Sequence, residues 1–153
     1  MEICGRGLNP SAESREAAMR ALSIRAPWWW FILHAGKDIE NRDWPTRFRG
    51  TVYLHASKWW NLSGIKTDAE YAAEIARREN RYQGQEITWD KMKSHGGCIV
   101  GRVDIIDCVN WSNSAWFQGE YGFQLANPVA FERPIPFKGA LGFFDVPDEI
   151  VRV

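Results

Sequence analysis

Lys37, Glu40 and Arg42 lie within six positions of one another, straight after an apolar run rich in tryptophan, and together they could move a proton and neutralise charge. A lysine serves as base or nucleophile only when deprotonated. Partial burial and nearby cations such as Arg25 or Arg42 would lower its pKa, whereas a close Glu40 would raise it. The role of Lys37 therefore turns on how near Glu40 comes. Arg42 is suited to holding an anionic substrate group or to stabilising negative charge as it develops. On types and spacing alone, the trio fits a surface ion-pair cluster at least as well, since such clusters are common and weak.

The elements that must position these side chains follow from periodicity. Pro27 suits a first helical position, where its missing N–H costs nothing, and Trp28, Phe31, Ile32 and Ala35 recur at helical intervals until Gly36 offers a stop. The spacing predicts a helix over about 27–35, with Lys37 leaving its end. From Ile39 the pattern alternates, so a strand over about 39–44 would turn Glu40 and Arg42 to one face and Ile39 and Asn41 to the other. Strands are expected at about 21–25 and 51–56, with a turn over 45–50 before the latter. Thr67 and Glu70 have capping-box spacing and predict a mostly exposed helix to about Arg78, with an apolar stripe of Tyr71, Ala72, Ile75 and Ala76. A short helix over 88–93 precedes Gly96-Gly97 and the β-branched run Cys98 to Val109, the clearest strand in the chain. Short strands over 121–125, 129–131 and 141–144 complete an α+β pattern, a small mixed barrel or strongly curved sheet with helices outside it.

The motif Ala35-x-Lys37-x-x-Glu40-x-Arg42 resembles the Gly-x-Lys-x-x-Glu-x-Arg signature of the ASCH family, with Ala35 in place of the glycine and Gly36 one place later. Upstream, Ala21 to Trp28 is similar to the family's opening strand and Pro-Trp helix start, with Ala26 where many members have glutamine. Arg49 to Lys58 resembles its second strand. Tyr121-Gly122-Phe123 and Gly139 to Phe143 resemble its closing strands. The likeness runs over about residues 20 to 145, and four blocks in order are more specific than the signature alone. It implies a PUA-like small mixed/antiparallel β-barrel with flanking helices and a ligand cleft between them. It also implies a protein directed at RNA or nucleobases: a hydrolase, either ribonuclease or cytidine-amide hydrolase in type, or a non-catalytic reader. Lys37, Glu40 and Arg42 would then be the catalytic residues. Arg25, Trp28, Trp44, His55, Ser57, Lys58 and Tyr121 would bind the substrate, single-stranded RNA or a nucleoside or nucleotide.

The residues bear on that expectation independently. Between Arg20 and Trp60 stand seven basic residues against three acidic ones, while from Gly96 onward four basic face seven acidic, so the excess positive charge shares its segment with Lys37. An anionic or phosphate-bearing ligand fits that distribution, although the net charge is zero. Nine tryptophans exceed the needs of a small core. The consecutive Trp28 to Trp30 cannot share one helix face, and Trp44, following a basic strand, is the ring best placed to stack on a base. His55 and Ser57 lie on one face of a strand end. Without an orienting acid or a nucleophile elbow they suggest hydrogen bonding to a base or phosphate rather than a Ser-His hydrolase.

The 153 residues suffice for one core, expected as a single domain over 19–153 after a poorly ordered extension over 1–18. Cys4, Cys98 and Cys108 are an odd count without short paired spacing, and the histidines lack helical metal spacing. No tightly bound metal or cofactor is expected, and a divalent-ion requirement is left open, as is the oligomeric state. No run approaches a bilayer span and no secretory leader is evident, so a cytoplasmic protein without membrane contact is expected.

Overall fold

Twelve residues rich in valine and isoleucine, Cys98–Val109, form strand β4, which pairs with β3 on one side and β5 on the other. The computed structural model describes residues 18–82 and 84–151, so the extension expected over 1–18, Cys4 included, falls almost wholly outside the described residues. In chain order the elements are β1 (Ala18–Ile24), α1 (Trp28–His34), β2 (Ile39–Arg42), β3 (Gly50–Ala56), α2 (Leu62–Arg78), α3 (Trp89–Ser94), β4, β5 (Tyr121–Pro136), β6 (Phe143–Pro147) and α4 (Asp148–Val151). The fold is mixed α and β. Among the described residues no helix is long and apolar enough to cross a membrane.

Six strands pair in the order β2-β5-β4-β3-β1-β6. β1 and β3 run parallel, which requires the crossover supplied by α1 and β2, and the other pairs are antiparallel. The expected closed barrel is not formed by pairing, because β2 and β6 stand at opposite ends of the sheet. Instead the sheet curls. The β4–β5 register shifts at three places, and such bulges bend and twist a ladder. The two ends consequently approach: the Trp44 ring, just past β2, lies edge-on to Phe143 of β6 at 5.6 Å, and Arg42 Nη2 donates to the Ser23 carbonyl of β1 at 3.0 Å.

The strand expected at 121–125 and that at 129–131 are one element, β5, since Asn127 at φ 56° lets the chain pass through an irregularity without leaving the sheet. Helix α2 begins five residues before the expected cap. Asn61 accepts from the Gly64 amide at 3.0 Å as the true N-cap, while Thr67 turns its hydroxyl back to the Ser63 carbonyl. Its buried stripe is Ile65, Ala69, Ala72, Ala73, Ile75 and Ala76, so the helix is less exposed than expected and Tyr71 sits on its outer side, about half exposed. Leu22, Ile24, Val52, Leu54, Val103, Ile105 and Phe123 fill the inside of the curl with Trp29, Ile32 and Leu33 from α1. A second cluster joins Phe31, Ala35 and Ile39 to α2 and Trp116. Gly101 makes the β4–β5 approach possible, as a Cβ there would fall 2.4 Å from the Val129 carbonyl oxygen.

Candidate functional site

The turn after α1 delivers Lys37. Gly36 takes φ +76°, a conformation that L side chains rarely adopt, and this lets the Lys37 amide fold back to the Phe31 carbonyl at 3.1 Å. The side chain is thereby directed inward, between α1 and β2, where only 5% of the residue remains exposed. Its ammonium donates to the Ile39 carbonyl and lies 3.6 Å from Glu40 Oε1. The rings of Trp28 and Trp116 flank it, with centroids 5.7 and 6.0 Å from Nζ. Burial pushes the Lys37 pKa below the ordinary lysine value, partly offset by Glu40 and Asp38, with Arg42 pushing it slightly further down.

Strand alternation places Glu40 and Arg42 as expected. Glu40 pairs across the sheet with Phe123, so both face the inside of the curl. Glu40 is itself buried, at 8% exposure, and its Oε2 accepts from Arg42 Nε at 3.1 Å and Nη2 at 3.0 Å. Because Nη2 also serves the Ser23 carbonyl, two of the three guanidinium nitrogens are committed within the protein. The arrangement first gives Arg42 the task of fixing the Glu40 carboxylate, with less capacity left for an anionic substrate group.

A cavity of about 270 Å³ opens on this pair, walled by Trp28, Trp116, Asn41, Tyr71 and Gln118. Asn41 is a scaffold residue: it donates to the Trp116 carbonyl at 2.9 Å and accepts from the Gln118 amide at 2.8 Å, tying the 110–120 loop to β2. The Gln118 side chain donates to the Tyr71 hydroxyl, linking the loop to α2. Trp116 is buried and donates to Glu79 Oε1 at 3.2 Å. Trp116, Gln118 and Tyr71 escaped the sequence reading. The loop shows no periodicity, and Tyr71 was assigned to an apolar stripe that α2 turns elsewhere.

The remaining candidates are dispersed. Trp44 carries Arg42 over its face at 5.8 Å, but it also makes T-shaped contacts with Phe123 and Phe143, so it plugs the gap between the sheet ends. Tyr121 is the cross-strand partner of Arg42. Arg25 is exposed and lies 4.4 Å over the Trp59 ring, which is also exposed. His55, Ser57 and Lys58 line another pocket, of about 870 Å³, on the face of the sheet opposite to Leu22, Ile24 and Leu54. There His55 meets Ser23, its register partner on β1, with Nδ1 3.0 Å from Ser23 Oγ. The sequence could not reveal this meeting, because the parallel β1–β3 pairing is non-local. Among the described residues no group of three or more His, Cys, Asp or Glu gathers as a metal set.

Comparison with known proteins bears on this geometry. The family model for the ASCH domain matches residues 22–135. Activating signal cointegrator 1 of Mus musculus is 26% identical over 126 residues, covering 77% of this chain and 20% of that protein. Its Homo sapiens counterpart is 26% identical over 89 residues, 58% of this chain and 14% of that protein. The chain thus spans about a fifth or less of the length of these relatives. The matched span of the family model contains Lys37, Glu40, Arg42 and both pockets' strand residues on β1 to β4.

Proposed function

Because the chain belongs to the ASCH domain family, we propose that it is directed at RNA or nucleobases and hydrolyses a modified nucleoside amide at Lys37 and Glu40. The observation that carries this reading is a buried lysine of lowered pKa within ion-pair distance of a carboxylate, at the wall of a cavity. At about 270 Å³ the cavity lies at the small end of ligand sites, which suits one base better than a threaded strand. That favours an amide on a base over a phosphodiester bond. Trp28 offers a face for stacking, and Gln118 and Tyr71 offer polar groups to a base edge. The PUA-like barrel belongs to the same reading, with Arg42 and Trp44 bridging the sheet ends in place of a last ladder.

In the reaction, Lys37 in its neutral form takes a proton from water as the water oxygen attacks the amide carbonyl carbon. The C–N bond then breaks, the departing base amine receives a proton passed through Glu40, and a carboxylic acid leaves. Arg42 holds Glu40 in place for that transfer. A second reading, a non-catalytic reader, draws on a different observation: Nζ already has the Ile39 carbonyl and Glu40 as partners, so it can be satisfied without turning over anything.

The test is to incubate the protein and its Lys37→Met variant with a short single-stranded RNA containing N4-acetylated cytidine, and to identify products by mass. Loss of the acetyl group by the wild type alone supports the amide hydrolase. Chain fragments would replace it with a ribonuclease. Bound but unchanged RNA would favour the reader, and full turnover by a folded Lys37→Met would remove Lys37 from the chemistry.

A further inference from the structure

The pocket of about 870 Å³ holds a second arrangement of reactive groups that the Lys37 reading does not use. His55 is 2% exposed, and its Nε2 lies 2.6 Å from the Phe137 carbonyl oxygen. A carbonyl can only accept, so Nε2 carries the proton and Nδ1 presents its lone pair. Ser23 Oγ, 3.0 Å from Nδ1, must then donate its hydroxyl proton to that lone pair. This is the polarity of a nucleophile with its base, and the Phe137 carbonyl stands where a catalytic triad places its acid. The missing orienting group, which made a Ser-His pair improbable from sequence, is thus supplied by the main chain.

Three further features of the pocket agree. Burial holds the His55 pKa below the ordinary histidine value, against the opposing effect of the Phe137 and Gly97 carbonyls, so the ring is a neutral base near pH 7. Gly139 lies against the imidazole so closely that a Cβ there would fall 2.6 Å from Cε1, which fixes the ring plane. Among the described residues, the lining contains Lys58 and Lys138 and no Asp or Glu, beside the apolar Pro136, Phe137 and Leu141.

We propose that Ser23 and His55 form a nucleophilic site, separate from Lys37, that hydrolyses small carboxylic esters with an apolar body and an anionic group. Ser23 Oγ bonds to the ester carbonyl carbon as its proton passes to Nδ1. The bond from that carbon to the alcohol oxygen breaks, and the leaving alcohol takes the proton from Nδ1. Water then attacks the acyl-serine by the same route, releasing the acid and restoring the hydroxyl, with no change of oxidation state. The two ammonium groups attract the anionic group, and Leu141, almost wholly exposed at the rim, meets the apolar body.

The experiment treats the folded protein with a fluorophosphonate probe, maps the adduct by peptide mass, and measures turnover of p-nitrophenyl butyrate and of mono-p-nitrophenyl glutarate. The expected result is an adduct on Ser23, faster turnover of the carboxylated ester, and a loss of at least about 100-fold in Ser23→Ala. The rate should reach its plateau below the ordinary histidine range, which a merely structural hydrogen bond would not produce. Ser23→Ala removes one oxygen and is read beside its melting curve. No adduct on Ser23, or undiminished turnover in a folded Ser23→Ala, would overturn the proposal.

Discussion

Replacing Glu40 by glutamine should cost far more stability than replacing Lys37 by methionine, although the two residues share one ion pair. Glu40 is the centre of the cluster: Lys37 stands 3.6 Å from one oxygen and Arg42 3.0 Å from the other, with the Lys37 and Glu40 side chains 3% and 10% exposed. Removing one partner of a buried pair costs about 3–5 kcal/mol, because the other charge is left uncompensated. Here two cations would be left. Arg42 retains some solvent and Lys37 can release its proton, so the lower end of that range, about 3 kcal/mol, is expected. At about 2–4 °C per kcal/mol for a chain of this size, Tm should fall by about 6–12 °C. Lys37→Met instead keeps the Glu40–Arg42 pair and sets an apolar chain of similar length between Trp28 and Trp116, so a change within about 1 kcal/mol is expected. The pH dependence adds an independent check. With the folded pKa of Lys37 below the unfolded one, the unfolded chain binds more protons between the two values, and stability there rises with pH. The full burial penalty applies below the folded pKa and vanishes above the ordinary lysine value of about 10.4. Wild type should therefore gain on Lys37→Met as pH climbs toward 10. Urea unfolding at pH 7 and across an alkaline series measures both effects. If Lys37→Met proves the more damaging change, or wild type fails to gain on it as pH rises, the account of a buried lysine with a lowered pKa fails.

Three further substitutions probe the frame around the site. Asn61→Ala removes the side chain that accepts from Gly64 N and should cost about 1 kcal/mol in thermal unfolding, while Thr67→Ala, which was the cap expected from sequence, should cost less. Gly101→Ala drives a methyl group to within 2.4 Å of the Val129 carbonyl and 2.8 Å of Leu33, so a loss of about 3 kcal/mol or failure to fold is expected, and a melting curve unchanged from wild type would contradict the tight β4–β5 approach.

Local structure was legible in the sequence and long-range pairing was not. Helix α1, the strand containing Glu40 and Arg42, and β4 were visible because each rests on periodicity within a few residues, and the facing of Glu40 and Arg42 follows from alternation alone. The start of α2 was misplaced because Thr67 and Glu70 have cap spacing, while Asn61 does the capping and Gly64 is tolerated inside the helix. The length of β5 was hidden by Asn127 and Pro128, which lie between the two short strands expected there and act as an irregularity inside one strand. At the site, the signature residues could be named, but not the cavity wall of Trp116, Gln118 and Tyr71, which comes from a loop and from the outer side of a helix. Ser23 was invisible for a different reason: its importance arises only when β1 lies parallel beside β3.

Ser23 occupies an unusual position between the two pockets. Its main-chain oxygen accepts from Arg42, which steadies Glu40, while its side-chain oxygen meets His55 on the other face of the sheet. One residue thus belongs to hydrogen-bond networks that reach both pockets. If a molecule in either pocket shifts β1 at this point and so changes the other's affinity, thermodynamic reciprocity requires the same factor in both directions. Occupancy of one pocket would then be readable as a changed dissociation constant at the other.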